Sequence, residues 1–186
     1  MAMLKTICVV EKRLYPFVLL IIISFLMQAC GSENIPDGKI YQENGTIYSQ
    51  ATNEPFTGRI IDTLGNRILE YDIVEGLKNG EFIIYFLNHQ PEIYGKIKNN
   101  KNEGKWSYYY QNGKLESQGN FKNDLPTEKW VWYYPDGTVK EEGYYLNGKK
   151  EGIWTLYDEK GDLKATFIFR DNEIVNQVEK KKSLAV

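Results

Sequence analysis

The sequence has few of the groups that enzymes and metal sites use. It holds one histidine, His89, and two cysteines, Cys8 and Cys30, in 186 residues. A Ser-His-Asp or Cys-His site would have to pass through His89, and zinc would need clustered Cys or His. His89 stands where three other turns carry glycine, so it reads as a turn residue tolerant of positive φ. Carboxylates are plentiful, yet neighbours such as Glu141 and Glu142 alternate along an extended run and fall on opposite faces. An acid–base pair must instead converge on a cleft. Asn99, Asn100, Asn123, Asp124, Asn147 and Asp171 lack the dense oxygen cage calcium prefers and are better explained by turn chemistry. No phosphate-cradling glycine loop is present. A formal charge of −2 excludes the basic face of a nucleic-acid binder. The expectation is no catalytic residue, no cofactor, no metal and no nucleic-acid partner.

Long apolar runs are also absent, with one exception. Phe17 to Met27 is apolar apart from Ser24, follows Lys5, Lys12 and Arg13, and leads to Ala29 and Cys30. Basic, apolar, then small residues is the order of a secretory signal peptide, expected to be helical. The run is short for a span, which needs about 20 residues, although an uncleaved membrane anchor is the alternative. Leu26-Met27-Gln28-Ala29-Cys30 resembles a lipobox. That resemblance implies cleavage after residue 29, a lipid on Cys30, and a bacterial envelope location, in the outer membrane in preference to the inner. Residues 30–38 then form a polar tether. The leader carries Lys5, Lys12, Arg13 and Glu11, a net +2, so its loss takes the charge from −2 to −4. Only Cys30 remains, and no intrachain disulfide is available.

What the sequence does have is aromatics, with 14 Tyr, 8 Phe and 4 Trp, which suit a pleated surface. They recur. Gly80, Gly104, Glu128 and Gly152 are spaced by 24 residues. Phe82, Trp106, Trp130 and Trp154 lie two positions on, and Tyr85, Tyr109, Tyr133 and Tyr157 five positions on. The pairs Asn88-His89, Asn112-Gly113, Asp136-Gly137 and Lys160-Gly161 follow, then Gly95, Gly119, Gly143 and Phe167. Weaker copies precede these, one from Gly58 and a degenerate hairpin over 39–57 with Tyr41, Asn44-Gly45 and Tyr48. Self-similarity at this period marks a repeat array. The repeat domain is placed at 39–171. The tail 172–186 lies outside it, with Ile174, Val175 and Val178 spaced to line a short helix before a solvated lysine-rich end.

Asn-Gly between apolar-rich runs is a hairpin signal, read here as a type I′ turn. Counting outward from Asn112-Gly113, Tyr110 faces Leu115, Tyr108 faces Ser117 and Trp106 faces Gly119. By the same count Phe82 faces Gly95, Trp130 faces Gly143 and Trp154 faces Phe167. An aromatic over the glycine it faces recovers contact that the glycine lacks. Opposed residues share a face, so one face carries Trp106, Tyr108, Tyr110, Trp130, Trp132, Tyr134 and Trp154. The other is mixed and crossed by Tyr85, Tyr109, Tyr133 and Tyr157. The fold expected is all-β, an elongated single-layer antiparallel meander. Ten to twelve strands at ~4.8 Å extend ~50 Å, and the aromatic face stays partly wet unless something covers it. Both aromatic rows are candidate binding surfaces.

Units such as Gly104 to Asn123, of the form G-x-W-x-x-Y-Y, then N-G-K-L, then G-x-F-x-N, resemble the variant MORN repeat of bacterial proteins. Glu54-Pro55-Phe56-Thr57-Gly58 resembles the PFTG entry of such arrays. The resemblance covers roughly Lys39 to Asp171. It implies a non-catalytic protein- or lipid-contacting module, and related chains are described as antitoxins. Three functions follow as expectations. The first is an envelope-anchored protein-binding or scaffold module with an unidentified protein partner. The second is an antitoxin-like neutraliser, and the third a glycan-binding envelope protein.

Overall fold

The computed structural model describes residues 8–10 and 40–179, which contain strands and no helix. In chain order the strands are β1 (Cys8–Val10), β2 (Ile40–Glu43), β3 (Thr46–Ser49), β4 (Gly58–Leu64), β5 (Arg67–Val74), β6 (Leu77–Phe86) and β7 (Pro91–Lys98). There follow β8 (Lys101–Tyr109), β9 (Leu115–Lys122), β10 (Leu125–Tyr133), β11 (Val139–Leu146), β12 (Lys149–Tyr157), β13 (Leu163–Arg170) and β14 (Glu173–Glu179). Strands β4 to β14 neighbour one another in sequence order, each antiparallel to the next, in an open sheet with β1 outside β4. The all-β meander is therefore as expected. Cys30, the tether and most of the leader lie outside the described residues. The three leader residues that are described, Cys8 to Val10, are extended and pair with β4, so they are not helical.

The tail also departs from expectation. Ile174, Val175 and Val178 belong to β14, which pairs along β13 from Arg170↔Glu173 to Ala165↔Glu179. An unpaired β13 edge offers backbone partners that a one-turn helix of this composition cannot match. The first hairpin departs too. Strands β2 and β3 turn through Asn44-Gly45 as expected, but form a sheet of their own. That hairpin is bonded to the main sheet through Ile47 N–H to the Gly76 carbonyl at 2.8 Å. It lays Ile47 and Phe56 over Ile60 and Ile73 in a buried cluster with Tyr71 at its margin.

The two edges of the sheet use different turns. Between repeats, Asn99-Asn100, Asn123-Asp124, Asn147-Gly148 and Asp171-Asn172 have positive φ at both residues, the type I′ geometry of two-residue hairpins. Within the four regular repeats the expected I′ turn is absent, although Asn44-Gly45 of the first hairpin has positive φ at both residues. At Asn112-Gly113 only Gly113 has positive φ, at 81°. Gly113 N–H donates to the Tyr110 carbonyl, Tyr110 N–H to the Lys114 carbonyl, both at 2.8 Å. That is a type I turn closed by a glycine bulge. Asn112 Oδ1 accepts the Lys114 N–H at 3.0 Å, a local bond that favours this form. One residue is thereby taken up in the bulge, so Leu115 faces Tyr109 and not Tyr110. His89 fills the same place at φ 61°, the turn role read from its position.

Beyond the turn the expected register holds. Trp106 faces Gly119, Trp130 faces Gly143, Phe82 faces Gly95 and Trp154 faces Phe167. Yet the ring over each glycine belongs to the following repeat. A methyl group on Gly95 would meet the Trp106 ring at 2.2 Å, one on Gly119 the Trp130 ring at 2.1 Å, and one on Gly143 the Trp154 ring at 2.1 Å. The reason is a bulge between repeats. Tyr94 pairs with Ser107 and Lys96 with Glu103, so Gly95 alone opposes Gly104, Lys105 and Trp106. Gly119 and Gly143 sit in the same arrangement. The bulge begins with a left-handed residue, Gly104 at φ 69° or Gly152 at 68°, and swings the following Trp back over the preceding strand. There each indole N–H donates to the carbonyl just after the glycine, Trp106 to Lys96, Trp130 to Asn120 and Trp154 to Tyr144, at 3.1–3.2 Å.

Two outcomes follow. Gly119→Ala should destabilise the protein by about 2 kcal/mol or more through overpacking. In a double-mutant cycle by urea denaturation it should couple to Trp130→Ala and not to Trp106→Ala; the reverse coupling would refute the assignment. Glu128 occupies the left-handed position of its bulge at φ 62°, so Glu128→Gly should raise stability by about 0.5–1 kcal/mol. An unchanged or lowered urea midpoint would count against that strain.

Candidate functional site

The two faces of the sheet do different things. On the aromatic face the rings form one chain of contacts, from Tyr71–Phe82 and Phe82–Trp106 through Trp106–Phe121, Phe121–Trp130 and Tyr145–Trp154 to Trp154–Phe169. Centroid separations of 5.1–6.2 Å and several near-perpendicular planes are the geometry aromatic pairs prefer. As a result Trp106, Trp130 and Trp154 are 4 %, 6 % and 0 % exposed. They were candidate surface anchors from sequence; the structure makes them core. Trp132 lies against Trp130 at 5.7 Å and Trp154 at 5.5 Å, and Tyr108 against Trp130 at 6.3 Å. Tyr110 and Tyr134 donate their hydroxyls to the Tyr133 and Tyr157 carbonyls, at 2.7 and 2.9 Å. Every aromatic-face candidate thus binds its neighbouring repeat. A depression of about 70 Å³ remains, lined by Tyr110, Glu116, Trp132, Tyr133, Lys140 and Glu141. That is below the size usual for small-molecule sites.

The opposite face carries the tyrosine row. Tyr85, Tyr109, Tyr133 and Tyr157 are partly exposed, one per repeat. Each sits 15 residues after a polar or phenolic residue on the preceding strand: Glu70, Tyr94, Gln118 and Glu142 in turn. Gln118 Nε2 donates to the Tyr133 hydroxyl at 3.2 Å, and the Tyr157 hydroxyl donates to Glu142 at 3.1 Å. Tyr94 donates to Glu81 at 3.0 Å. Burial first, then the nearby Glu70 carboxylate, pushes the Tyr85 phenol up to about 12. Burial and Glu142 likewise raise Tyr157. Tyr85 and Tyr157 therefore stay neutral at ordinary pH.

At the N-terminal end of this face Arg59 forks to Asp72 and Glu70, both at 2.7 Å, and to Glu81 at 3.0 Å. Its hydrogen bond to Asp72 raises the guanidinium above its already high range. Arg59 was not singled out from sequence, because its partners come from two other strands, β5 and β6, and nothing in the 24-residue columns marks it. Among the described residues no group of three or more His, Cys, Asp or Glu could hold a metal ion. The face is equipped for surface contact by rings, hydroxyls and paired charges.

Lys129 bonds to Glu142 at 2.8 Å and lowers the Glu142 carboxyl below its ordinary range. A depressed carboxyl adds stability above the unfolded-state value of ~4.3 and loses it as pH falls through the lower folded value. Lys129 is half exposed, so the gain stays below about 1 kcal/mol. Urea midpoints of the protein and of Glu142→Gln should therefore differ at pH 7 and converge below about pH 4. A gap that persists in acid would show the Lys129 pair contributes nothing.

Residues 102–123 and 129–147 match the family described as MORN repeat variant. No curated protein matches the chain. The two matched segments coincide with the hairpins β8–β9 and β10–β11. Those two hairpins are therefore similar to the MORN repeat variant.

Proposed function

We propose that this protein is a non-catalytic binding module of the bacterial cell envelope, tethered by a lipid on Cys30, and that its tyrosine face engages a protein partner. The observation that supports this reading is the row Tyr85, Tyr109, Tyr133 and Tyr157, one partly exposed phenol per repeat on a continuously hydrogen-bonded sheet. Tyrosine is favoured at protein interfaces because it adds large contact area and a polar tip while fixing few torsions. Variant MORN repeats point to a repeat-built binding module in the same sense. An antitoxin-like neutraliser would use the same face, but a lipid tether fits it only where the toxin acts outside the cytoplasm. A glycan-binding role needs an aromatic ring with a free face, whereas Trp132 has Trp130 and Trp154 packed against it.

Two experiments on the full chain in its native envelope test the reading. Cys30→Ala should move the protein from the membrane to the soluble fraction and abolish lipid labelling. Continued membrane attachment would support a spanning leader instead. A photo-crosslinking residue at Tyr109 or Tyr133 should capture a single partner species, while one at Leu125, exposed at the base of the sheet, should not. Equal capture from all three positions, or capture from none, would overturn the assignment of the face.

A further inference from the structure

The charges on the tyrosine face are not spread evenly. Toward the base of the sheet, where the turns between repeats lie, β7, β8 and β9 carry Lys96, Lys98, Lys101, Lys105 and Lys122, all exposed. They share the face. Lys98 opposes Lys101, Lys96 opposes Glu103, and Lys105 opposes Asn120, two residues before Lys122 on its strand. Among the described residues none of these five lysines has an ion pair. The nearby carboxylates are engaged elsewhere. Glu81 is held by Arg59 and Tyr94, Glu103 accepts the Asn123 N–H at 3.0 Å, and Asp124 accepts the Asn102 N–H at 2.7 Å. Directly opposed lysines repel across the ladder, and the repeat does not require them. One repeat on, the pair Lys98–Lys101 becomes Lys122–Leu125, then Leu146–Lys149, then Arg170–Glu173. Neighbouring strands lie ~4.8 Å apart, inside the ~8 Å over which physiological salt screens, so the five charges act together. The chain total of −2 conceals this local excess.

We infer that this lysine patch selects the partner of the tyrosine face, and that the partner presents a carboxylate-rich protein surface; the inference rests on the tyrosine face being the binding face. Complementary charge steers encounter and fixes register, and like charge turns other surfaces away. The patch is continuous with the tyrosine row, because Lys105 and Tyr109 lie on one strand and one face. The Tyr133 hydroxyl accepts from Gln118 at 3.2 Å, so its own proton can go to a partner carboxylate. All five cations are lysines. An ammonium is a point charge that accepts a carboxylate from any side, whereas recognition of phosphate favours the fork of arginine. The opposite sign lies next to the patch. Around Arg59 the three carboxylates of Glu70, Asp72 and Glu81 outnumber the one guanidinium. An acidic partner is therefore directed onto β7–β9 and kept off β4–β6, which is specificity by repulsion as well as attraction.

The test reverses charge where folding should not suffer. Lys101→Glu turns the repelling pair with Lys98 into an attracting one, and Lys105→Glu installs what Glu81 supplies one repeat upstream. The thermal midpoint of this double variant should be unchanged or raised. Lys160→Glu with Lys164→Glu, exposed lysines outside the patch, makes the same change in total charge and serves as control. The full chain in non-ionic detergent should bind a fluorescent decaglutamate peptide, less tightly as salt rises from about 20 to 150 mM. The patch variant should bind it about tenfold more weakly or worse, and the control pair should not differ from the unaltered chain. Equal binding by patch variant and control, or no binding by the unaltered chain, would overturn the inference. So would tighter binding to phosphatidylglycerol micelles or to a ten-nucleotide thymidine strand. In the native envelope, a photo-crosslinking residue at Tyr133 should lose its captured species in the patch variant and keep it in the control. Capture undiminished by the patch variant would overturn the role of the lysines and leave the tyrosine face standing. Capture from neither Tyr109 nor Tyr133 of the unaltered chain would overturn the face itself.

Discussion

The structure depends on a tryptophan ring lying on a glycine of the repeat before it. The closeness is extreme: at Gly119 even a methyl group would lie 2.1 Å from the Trp130 ring, so no side chain fits beneath. In return the indole buries both its area and its N–H, the latter on the Asn120 carbonyl at 3.2 Å. Burying ~200 Å² of ring at ~25 cal/mol/Å² gives an upper figure of about 5 kcal/mol per repeat. That is large beside the net stability of a domain. Because the ring and its seat come from different repeats, no repeat is complete alone. Stability is then a sum of contacts between neighbours, as in other one-dimensional arrays.

Such an array must solve its ends differently, and the substitutions there have physical reasons. After the last tryptophan, Trp154, no further ring arrives, and Phe167 replaces the glycine that would have been its seat. It fills the space itself, 6.3 Å from Phe169. Tyr110 and Tyr134 bond forward to the next repeat. Asp158 occupies that position in the last repeat, and its carboxylate accepts the Lys160 and Asp162 N–H groups of its own turn. At the other end the hairpin β2–β3 and Phe56 serve as the cover. This is the work of the Glu54–Gly58 segment: it delivers Phe56 into the cluster with Ile60 and Ile73, and Thr57 Oγ1 accepts the Glu75 N–H at 2.9 Å.

Much of this was legible in the sequence. The period, the ring–glycine register and the sorting of side chains into two faces all follow from counting along strands. The face assignment survived a bulge the count did not see, because the bulge adds two residues to one strand and so preserves the alternation. What the count could not tell was the direction in which a ring leans. Trp106 faces Gly119 and covers Gly95, and only the left-handed φ at Gly104 decides between them. Asn112-Gly113 was ambiguous for a related reason, since asparagine serves both a type I′ turn and a side-chain-closed type I turn. The apolar spacing of Ile174, Val175 and Val178 suits a helical stripe, yet the open edge of β13 outweighed it. Exposure of the tryptophans was misjudged because burial comes from the adjoining repeat and not from the strand itself.

The stabilising contacts run along one face and along the two rows of turns, and they vary in concert. At the base of the sheet Asn100, Asp124 and Asn172 each accept a backbone N–H from the residue 22 positions earlier, Lys78, Asn102 and Lys150, at 2.6–2.7 Å. The remaining member of the series is Gly148, which has no side chain to accept with; its counterpart is Pro126, which has no N–H to give. Gly148 keeps only the backbone bond to the Pro126 carbonyl, at 2.9 Å. Donor and acceptor are lost together, so no polar group is left unpaired. On the tyrosine face the column passes from Lys96 to Tyr144 and Ile168 while its cross-strand neighbours pass from Glu81 to Lys129 and Ile153. A sheet that completes its core on one side is free to vary the other, and that freedom is what allows successive repeats of one chain to present different chemistry on one continuous face.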